Sequence, residues 1–208
     1  MLEWVLPLLL LAPVRATVVS GVIDRDAATK QAIASTAAVR LDPSRRDAYR
    51  LVVLKARYRL DVLEGDRLVK AFPVALGPAP EGEKRREGDG RTPEGEYALV
   101  PHHASPEFGS CFYVCYPGER DGRTALREGR IRSRDLDAIL GAQRRGERPP
   151  ENTPLGGLIL LHGVRQRDAT ALTASNWTLG CIAMENGDLL ELLSVYRASD
   201  RPRLTIRP

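Results

Sequence analysis

Alternating apolar and polar positions predict a β-rich core that begins near residue 49. The segments YRLVVLK, RYRLDVL and RLVKAFPVAL are β-branched or alternate in polarity, and short turns separate them. Runs of this kind are typical of antiparallel strands joined as a meander. The three strands are predicted at Tyr49 to Lys55, Arg57 to Leu63 and Arg67 to Leu76. Four more are predicted at Glu96 to Pro101, Ser110 to Tyr116, Leu155 to Leu161 and Arg203 to Ile206.

Helical spacing of apolar residues is confined to a few segments. A helix is predicted around Asp26 to Ala38, a second over Ser133 to Arg144, and a third over Gly187 to Tyr196. In the second, Leu136, Ile139 and Leu140 recur at helical spacing. The fold class that follows is mainly β with a few helices, an α+β arrangement.

The length of 208 residues suits one well-buried domain. Residues 1–16 (MLEWVLPLLLLAPVRA) contain an apolar run too short to span a bilayer, followed by small residues typical of a cleavage site. We expect a secretory signal peptide there, although Glu3 stands where a basic residue is usual. An N-terminal extension, partly helical, is expected at 17–48, and the main domain at 49–208.

Charge does not indicate a nucleic-acid partner. The net charge is +4, but the Arg residues are scattered among Asp and Glu, with no basic stripe. Export would place the protein in the periplasm or the cell envelope. We predict no nucleic-acid binding.

Three cysteines leave at least one thiol unpaired within the chain. Cys111 and Cys115 lie four residues apart in a predicted strand, about 13 Å, which is too far for a disulfide unless the segment bends. Together with His102 and His103 they match no standard zinc spacing. We therefore predict no metal site and no cofactor, and the remaining Cys181 calls for a separate explanation.

Cys181 and His162 form the candidate catalytic pair. His162 ends the apolar run LILLHG, and Cys181 follows Gly180 in NWTLGCIA. A thiol at a glycine turn lies close to backbone N–H groups, which lower a thiol pKa and bind an oxyanion. A nearby histidine can take the thiol proton. From these two residues alone, a buried structural cysteine and a structural histidine remain the alternative.

Three motifs in the same order resemble the YkuD-like L,D-transpeptidase catalytic domain. They are His162-Gly163, then Thr178-Leu179-Gly180-Cys181, and upstream the segment GDGRTPEGEY at Gly88 to Tyr97. The resemblance covers about residues 49 to 208. It implies a β-sandwich or barrel-like catalytic domain and a role in cell-wall biogenesis and cell shape.

The resemblance also implies a mechanism. Cys181 would attack the carbonyl between diaminopimelate and the terminal D-Ala of a peptidoglycan stem peptide, and His162 would take the thiol proton. The N–H groups of Gly180 and Cys181 would stabilise the oxyanion. Thr178 would shape the turn or bond near His162, and Gly163 would complete the active-site loop.

Two positions depart from the family pattern. Ala183 stands where an arginine is common, and Leu179 where a histidine is frequent. The segments PENTPLGG and NWTLGCIA are similar to a subgroup that includes envelope amidases, which detach a protein from peptidoglycan. Hydrolysis, with an envelope protein linked to peptidoglycan as substrate, therefore stays open beside crosslinking. A catalytically silent cell-wall-binding module is the third alternative. The loop Val164 to Trp177, between base and nucleophile, is expected to border the acceptor path.

Overall fold

A closed eight-stranded barrel forms the centre of the computed structural model, which describes residues 17–19, 22–164 and 176–208. The predicted signal peptide at 1–16 lies outside the described residues. Within the described ranges, no helix is long and apolar enough to cross a membrane.

The predicted strands occur in the predicted order, although the one predicted at Leu155 to Leu161 is shorter and starts at Ile159, and the strand Ile182–Met184 was not predicted. A short hairpin of β1 (Thr17–Val19) and β2 (Val22–Asp24) precedes the barrel. The barrel strands are β3 (Tyr49–Leu54), β4 (Arg59–Glu64), β5 (Arg67–Ala75), β6 (Gly95–Ser105), β7 (Gly109–Val114), β8 (Ile159–His162), β9 (Ile182–Met184) and β10 (Arg203–Arg207).

The barrel closes through a mixture of pairings. Its order is β10-β3-β4-β5-β9-β8-β7-β6, and β10 pairs with β6 to complete the ring. The meander β3-β4-β5 is antiparallel as predicted. Strand β10 is parallel to β3, and β8 is parallel to β9. Because the barrel is closed, each of its strands is paired on both sides. The predicted mainly β, barrel-like fold is confirmed.

Helices lie outside the ring. They are α1 (Ala27–Thr36), α2 (Glu119–Arg127), α3 (Ser133–Arg144) and α4 (Asn186–Val195), with 3-10 turns at Pro43–Ala48 and Lys55–Arg57. The helix predicted over Ser133 to Arg144 is confirmed. Helix α2 was not predicted, because its sequence is mostly polar. Close packing on α3 supports it: a Cβ on Gly122 would lie 2.9 Å from Leu136 Cδ1.

Residues before the barrel pack against it. The buried Arg25 guanidinium donates hydrogen bonds to the carbonyl oxygens of Tyr58 (3.2 Å) and Val74 (2.9 Å). Farther along, Thr36 Oγ1 accepts a hydrogen bond from the Ala71 N–H at 3.0 Å. The segment containing α1 therefore braces β5, the strand that pairs with β9.

Two apolar clusters lie on the two faces of the barrel wall. The main core fills the interior and extends under the helices. A second cluster consists of the buried residues Cys111, Tyr113 and Leu160, and it packs against residues that include Phe108 and Cys181. Side chains alternate along a strand, so this second cluster marks the outer face of β7 and β8.

Candidate active site

Neighbouring parallel strands carry the two predicted catalytic residues. His162 is the last residue of β8, and Cys181 directly precedes β9. The register pairs Leu161 with Ile182 and His162 with Ala183. Cys181 therefore lies beside Leu160, whose backbone N–H donates a hydrogen bond to the Cys181 sulfur at 3.4 Å.

Both side chains belong to the outer face of the sheet. His162 and Leu160 are two residues apart on β8 and so point to the same side. Cys181 packs against the cluster that contains Leu160, as does Phe108, whose ring stacks on His162 with centroids 3.7 Å apart. The fold thus brings the thiol and the imidazole, 19 positions apart in sequence, to one face.

His162 is buried and held in a defined orientation. Its Nδ1 lies 2.6 Å from the carbonyl oxygen of Gly163. Because a carbonyl only accepts, Nδ1 carries the hydrogen and Nε2 is the basic nitrogen. Phe108 stacks on one side of the ring, and Trp177 meets it edge-on at 5.7 Å. Two aromatic contacts and one hydrogen bond fix both the ring plane and the tautomer.

The Cys181 thiol is partly buried, and burial raises its pKa above the usual value of 9.0. The Leu160 N–H and the positive charge of Lys84 act in the opposite direction, while Glu107 adds to the rise. Very little thiolate therefore exists at neutral pH without a base. Burial, with a smaller effect of the nearby Cys181, also raises the pKa of Cys111, to about 11.

Thr178 organises the turn before the nucleophile. Its hydroxyl donates to the Cys181 carbonyl oxygen at 2.7 Å and accepts from the Gly180 N–H at 3.2 Å. Its own N–H donates to the Leu76 carbonyl oxygen at 3.3 Å. These contacts lie within the nucleophile turn and tie it to the end of β5. The Gly180 N–H, one of the two predicted oxyanion donors, is therefore engaged by the Thr178 hydroxyl.

The GDGRTPEG segment, between β5 and β6, is organised around one carboxylate. Asp89 accepts hydrogen bonds from the backbone N–H groups of Arg85 (2.7 Å), Arg86 (3.1 Å) and Arg91 (3.1 Å), and from Lys84 Nζ (2.9 Å). Burial alone would raise the pKa of Asp89, but these donors hold it below its usual value. These four hydrogen bonds hold the loop around the Asp89 side chain.

This loop supports the nucleophile turn directly. Gly180 has φ +123°, and a Cβ there would lie 2.6 Å from the Arg91 carbonyl oxygen. At Gly77 a Cβ would lie 2.1 Å from the Gly90 carbonyl oxygen and 3.1 Å from the Gly180 nitrogen. Only glycine permits such backbone approach at both places. Sequence analysis missed the contact between the two motifs, and the glycines at 77 and 180 were its local signs.

Gly163 has a packing role. A Cβ on Gly163 would lie 2.1 Å from Asn186 Oδ1, at the first residue of α4. The end of β8 therefore runs tightly against α4, and Gly163 offers its carbonyl oxygen to His162.

The two departures from the family pattern differ in exposure. Ala183 is buried and pairs with Ala75 on one side and His162 on the other. Leu179, by contrast, is 86% exposed beside the nucleophile turn. Of the loop predicted to border the acceptor path, residues 165–175 lie outside the described residues.

The described part of the chain contains no group of three or more His, Cys, Asp or Glu side chains arranged to hold a metal ion. Cys111 and Cys115 are both free thiols. The histidines beside them have other contacts: His102 Nε2 lies 2.8 Å from the Tyr196 carbonyl oxygen, and the His103 ring meets Tyr113 edge-on.

Comparison with known proteins identifies the class. Residues 48–201 match the YkuD family, the L,D-transpeptidase catalytic domain, so the chain belongs to this family. No curated protein matches it.

Among solved structures, the helical cell shape determining protein Pgp2 from Campylobacter jejuni is similar, with 21% identity and a TM-score of 0.52 over 77% of this chain and 47% of that one. The L,D-transpeptidase from Xylanimonas cellulosilytica has 14% identity and a TM-score of 0.44 over 77% of this chain and 60% of its own. This chain therefore spans about half the length of those proteins.

Proposed function

We propose that this protein is a peptidoglycan L,D-transpeptidase that works through a Cys181 acyl-enzyme in the cell envelope. The observation that carries the proposal is the common placement of Cys181 and His162. His162 ends β8, and Cys181 directly precedes the parallel strand β9, opposite Leu160, so both lie on one face, with the imidazole tautomer set by Gly163. Membership of the L,D-transpeptidase family supports the choice of substrate.

His162 acts as the base in this proposal. Burial keeps the Cys181 thiol protonated at neutral pH, so proton removal accompanies attack. Nε2 accepts the proton while Nδ1 remains bonded to the Gly163 carbonyl oxygen. The Leu160 N–H stabilises the negative sulfur.

Attack on the diaminopimelate carbonyl then forms the tetrahedral intermediate. The Cys181 N–H stabilises its oxyanion, in a turn that Thr178 and Arg91 hold in place. As the intermediate collapses, the C–N bond to the terminal D-Ala breaks, and His162 returns the proton to the leaving amine. A thioester on Cys181 remains, which an amine from a second stem peptide resolves.

Replacement of Cys181 by alanine tests the nucleophile. We expect Cys181→Ala to abolish release of D-Ala from a tetrapeptide stem while the thermal unfolding midpoint stays near that of the wild type. Cys111→Ser and Cys115→Ser are the matched controls, because their sulfurs lie in the same cluster, and both should retain turnover. Equal inactivation of all three folded variants would contradict the assignment.

The acceptor decides between transfer and hydrolysis. Wild-type enzyme is supplied with a tetrapeptide donor, with and without excess diaminopimelate-type amine, and the products are identified by mass spectrometry. Crosslinked product that increases with amine supports transpeptidation. Release of tripeptide and D-Ala that added amine does not change would make the protein an amidase or other hydrolase of the same fold, a result compatible with Ala183 in place of the usual arginine. A folded protein that acylates neither with stem peptides nor with a carbapenem would instead be a silent cell-wall-binding module.

A further inference from the structure

Tyr58 has a backbone conformation that a tyrosine seldom adopts. It follows the 3-10 turn Lys55–Arg57 and precedes β4, with φ +49° and ψ +50°. This left-handed region is open to glycine, whereas a bulky side chain occupies it at a cost in free energy. Residues held in such conformations cluster at functional sites. The side chain of Tyr58 therefore calls for an explanation.

Three hydrogen bonds hold the Tyr58 backbone in this conformation. Its carbonyl oxygen accepts from the Val74 N–H at 2.9 Å and from Arg25 Nε at 3.2 Å, and its own N–H donates to the Lys55 carbonyl oxygen at 3.1 Å. Val74 lies on β5 and pairs with Met184 of β9, the strand that begins just after the nucleophile. The Tyr58 backbone is thus fixed to the same frame as the candidate active site.

The Tyr58 side chain reaches from this frame to the segment that precedes the nucleophile. Its ring is buried in the main core, and Asn176 Nδ2 donates a hydrogen bond to its hydroxyl oxygen at 2.9 Å. Two residues further on, the Thr178 N–H donates to the Leu76 carbonyl oxygen at 3.3 Å. Trp177 lies between these two anchors, so its backbone is held on both sides.

Trp177 in turn contacts the candidate base. Its ring meets the His162 imidazole edge-on, with centroids 5.7 Å apart and an angle of 74° between the planes, and it packs against the main core. The indole Nε1 is buried, and nothing in the described part of the chain accepts a hydrogen bond from it. The orientation of the indole therefore depends on core packing and on the hydrogen bonds of its neighbours Asn176 and Thr178.

We propose that Tyr58 is a positioning residue for His162 and acts through Asn176 and Trp177. The Tyr58 hydroxyl holds Asn176, and the indole beside it supports the imidazole ring in the plane from which Nε2 takes the thiol proton. The inference rests on the proposed function, in which His162 is the base. Proton transfer requires the base within hydrogen-bond reach of the proton. Loss of the hydroxyl should therefore slow the chemical step and leave substrate binding unchanged.

Steady-state kinetics separate these two effects. Tyr58→Phe removes only the hydroxyl, Asn176→Ala removes its partner, and D-Ala release from a tetrapeptide stem gives kcat and KM. We expect each change to lower kcat by about threefold to tenfold, the effect of losing one neutral hydrogen bond, with KM within about twofold of the wild type. The double variant should be no slower than the slower single variant, because both changes remove the same bond.

Tyr49→Phe is the matched control. The Tyr49 hydroxyl also accepts one hydrogen bond, from the Asp42 N–H at 3.1 Å, but Tyr49 lies at the opposite end of β3 from Tyr58. The control loses a buried hydroxyl of the same kind. It should therefore lose a similar amount of stability and keep the wild-type kcat.

Tryptophan fluorescence detects the position of Trp177 without catalysis. The two tryptophans of the chain are Trp4 and Trp177, so Trp4→Phe leaves Trp177 as the single emitter. Indole emission moves to longer wavelength when the ring gains contact with water. We expect this shift in Tyr58→Phe and Asn176→Ala, and the wild-type emission maximum in Tyr49→Phe.

Three results would overturn the inference: unchanged kcat in Tyr58→Phe, losses that multiply in the double variant, or unchanged Trp177 emission in both single variants. A raised KM with wild-type kcat would also overturn it, because Tyr58 would then serve substrate binding. Absence of D-Ala release by the wild type would refute the proposed function, whereas normal release by both the wild type and Tyr58→Phe would refute this inference alone.

Discussion

Gly180 connects the nucleophile to the GDGRTPEG loop, and its replacement by alanine should slow catalysis without unfolding the protein. A Cβ at this position would lie 2.6 Å from the Arg91 carbonyl oxygen, and its φ of +123° disfavours any L side chain. To reach an ordinary contact distance of 3.4 Å, the two backbones must move apart by about 0.8 Å. Because Cys181 is the next residue, its sulfur moves with the turn.

The two consequences have different magnitudes. Backbone strain costs about 1–3 kcal/mol, which lowers the unfolding midpoint by roughly 2–12 °C in a protein of this size. Displacement of a reacting atom by about 1 Å can cost roughly a hundredfold in rate. We therefore expect Gly180→Ala to remain folded at 25 °C and to acylate about a hundredfold more slowly.

The assay follows thioester formation with a carbapenem by mass spectrometry, alongside thermal unfolding followed by circular dichroism. Gly65→Ala is the matched control, because Gly65 also has a positive φ, +59°, but a Cβ there would contact nothing within 4 Å. It should lose stability and keep its acylation rate. A Gly180→Ala rate within threefold of the wild type, or an equal loss of rate in Gly65→Ala, would refute the argument.

Two further predictions concern buried charges. Burial raises the pKa of Asp121 from 3.8 to about 6, so this group stabilises the folded state most below pH 3.8, and that contribution is lost as the pH rises through 6. The free energy of unfolding should therefore fall by about 3 kcal/mol less between pH 4 and 7 in Asp121→Asn than in the wild type, as measured from unfolding midpoints. Identical slopes of unfolding free energy against pH for both proteins would contradict this. Lys55 Nζ, buried, lies 2.8 Å from Glu94 Oε1, and Lys55→Met should cost about 3–5 kcal/mol by denaturant unfolding because it leaves a buried carboxylate unpaired. Arg67→Met, at an exposed ion pair, should cost less than about 1 kcal/mol, and similar losses for both would argue against the burial effect.

Most of the barrel was predictable because its strands carry local signals. Alternation and turn residues placed β3, β4 and β5 in order, and the predicted helix at Ser133 to Arg144 has the same bounds in the structure. Helix α2 has few apolar residues, and its stability depends on contact with α3. Such contacts join residues of two different helices, so they leave no periodic pattern within either segment.

The sequence by itself determined the chemical groups: a thiol after a glycine turn at Cys181, an imidazole at the end of an apolar strand at His162, and the order of the motifs around them. Only the tertiary structure decided how these groups are held. The parallel pairing of β8 with β9 sets the thiol against Leu160, and closure of the barrel brings the Arg91 carbonyl oxygen against Gly180. The first contact joins residues 21 positions apart and the second joins residues 89 positions apart. Glycine at 180 permits the second approach, but the N–H and C=O groups that meet are the same in every residue, so the sequence does not show which segments come together.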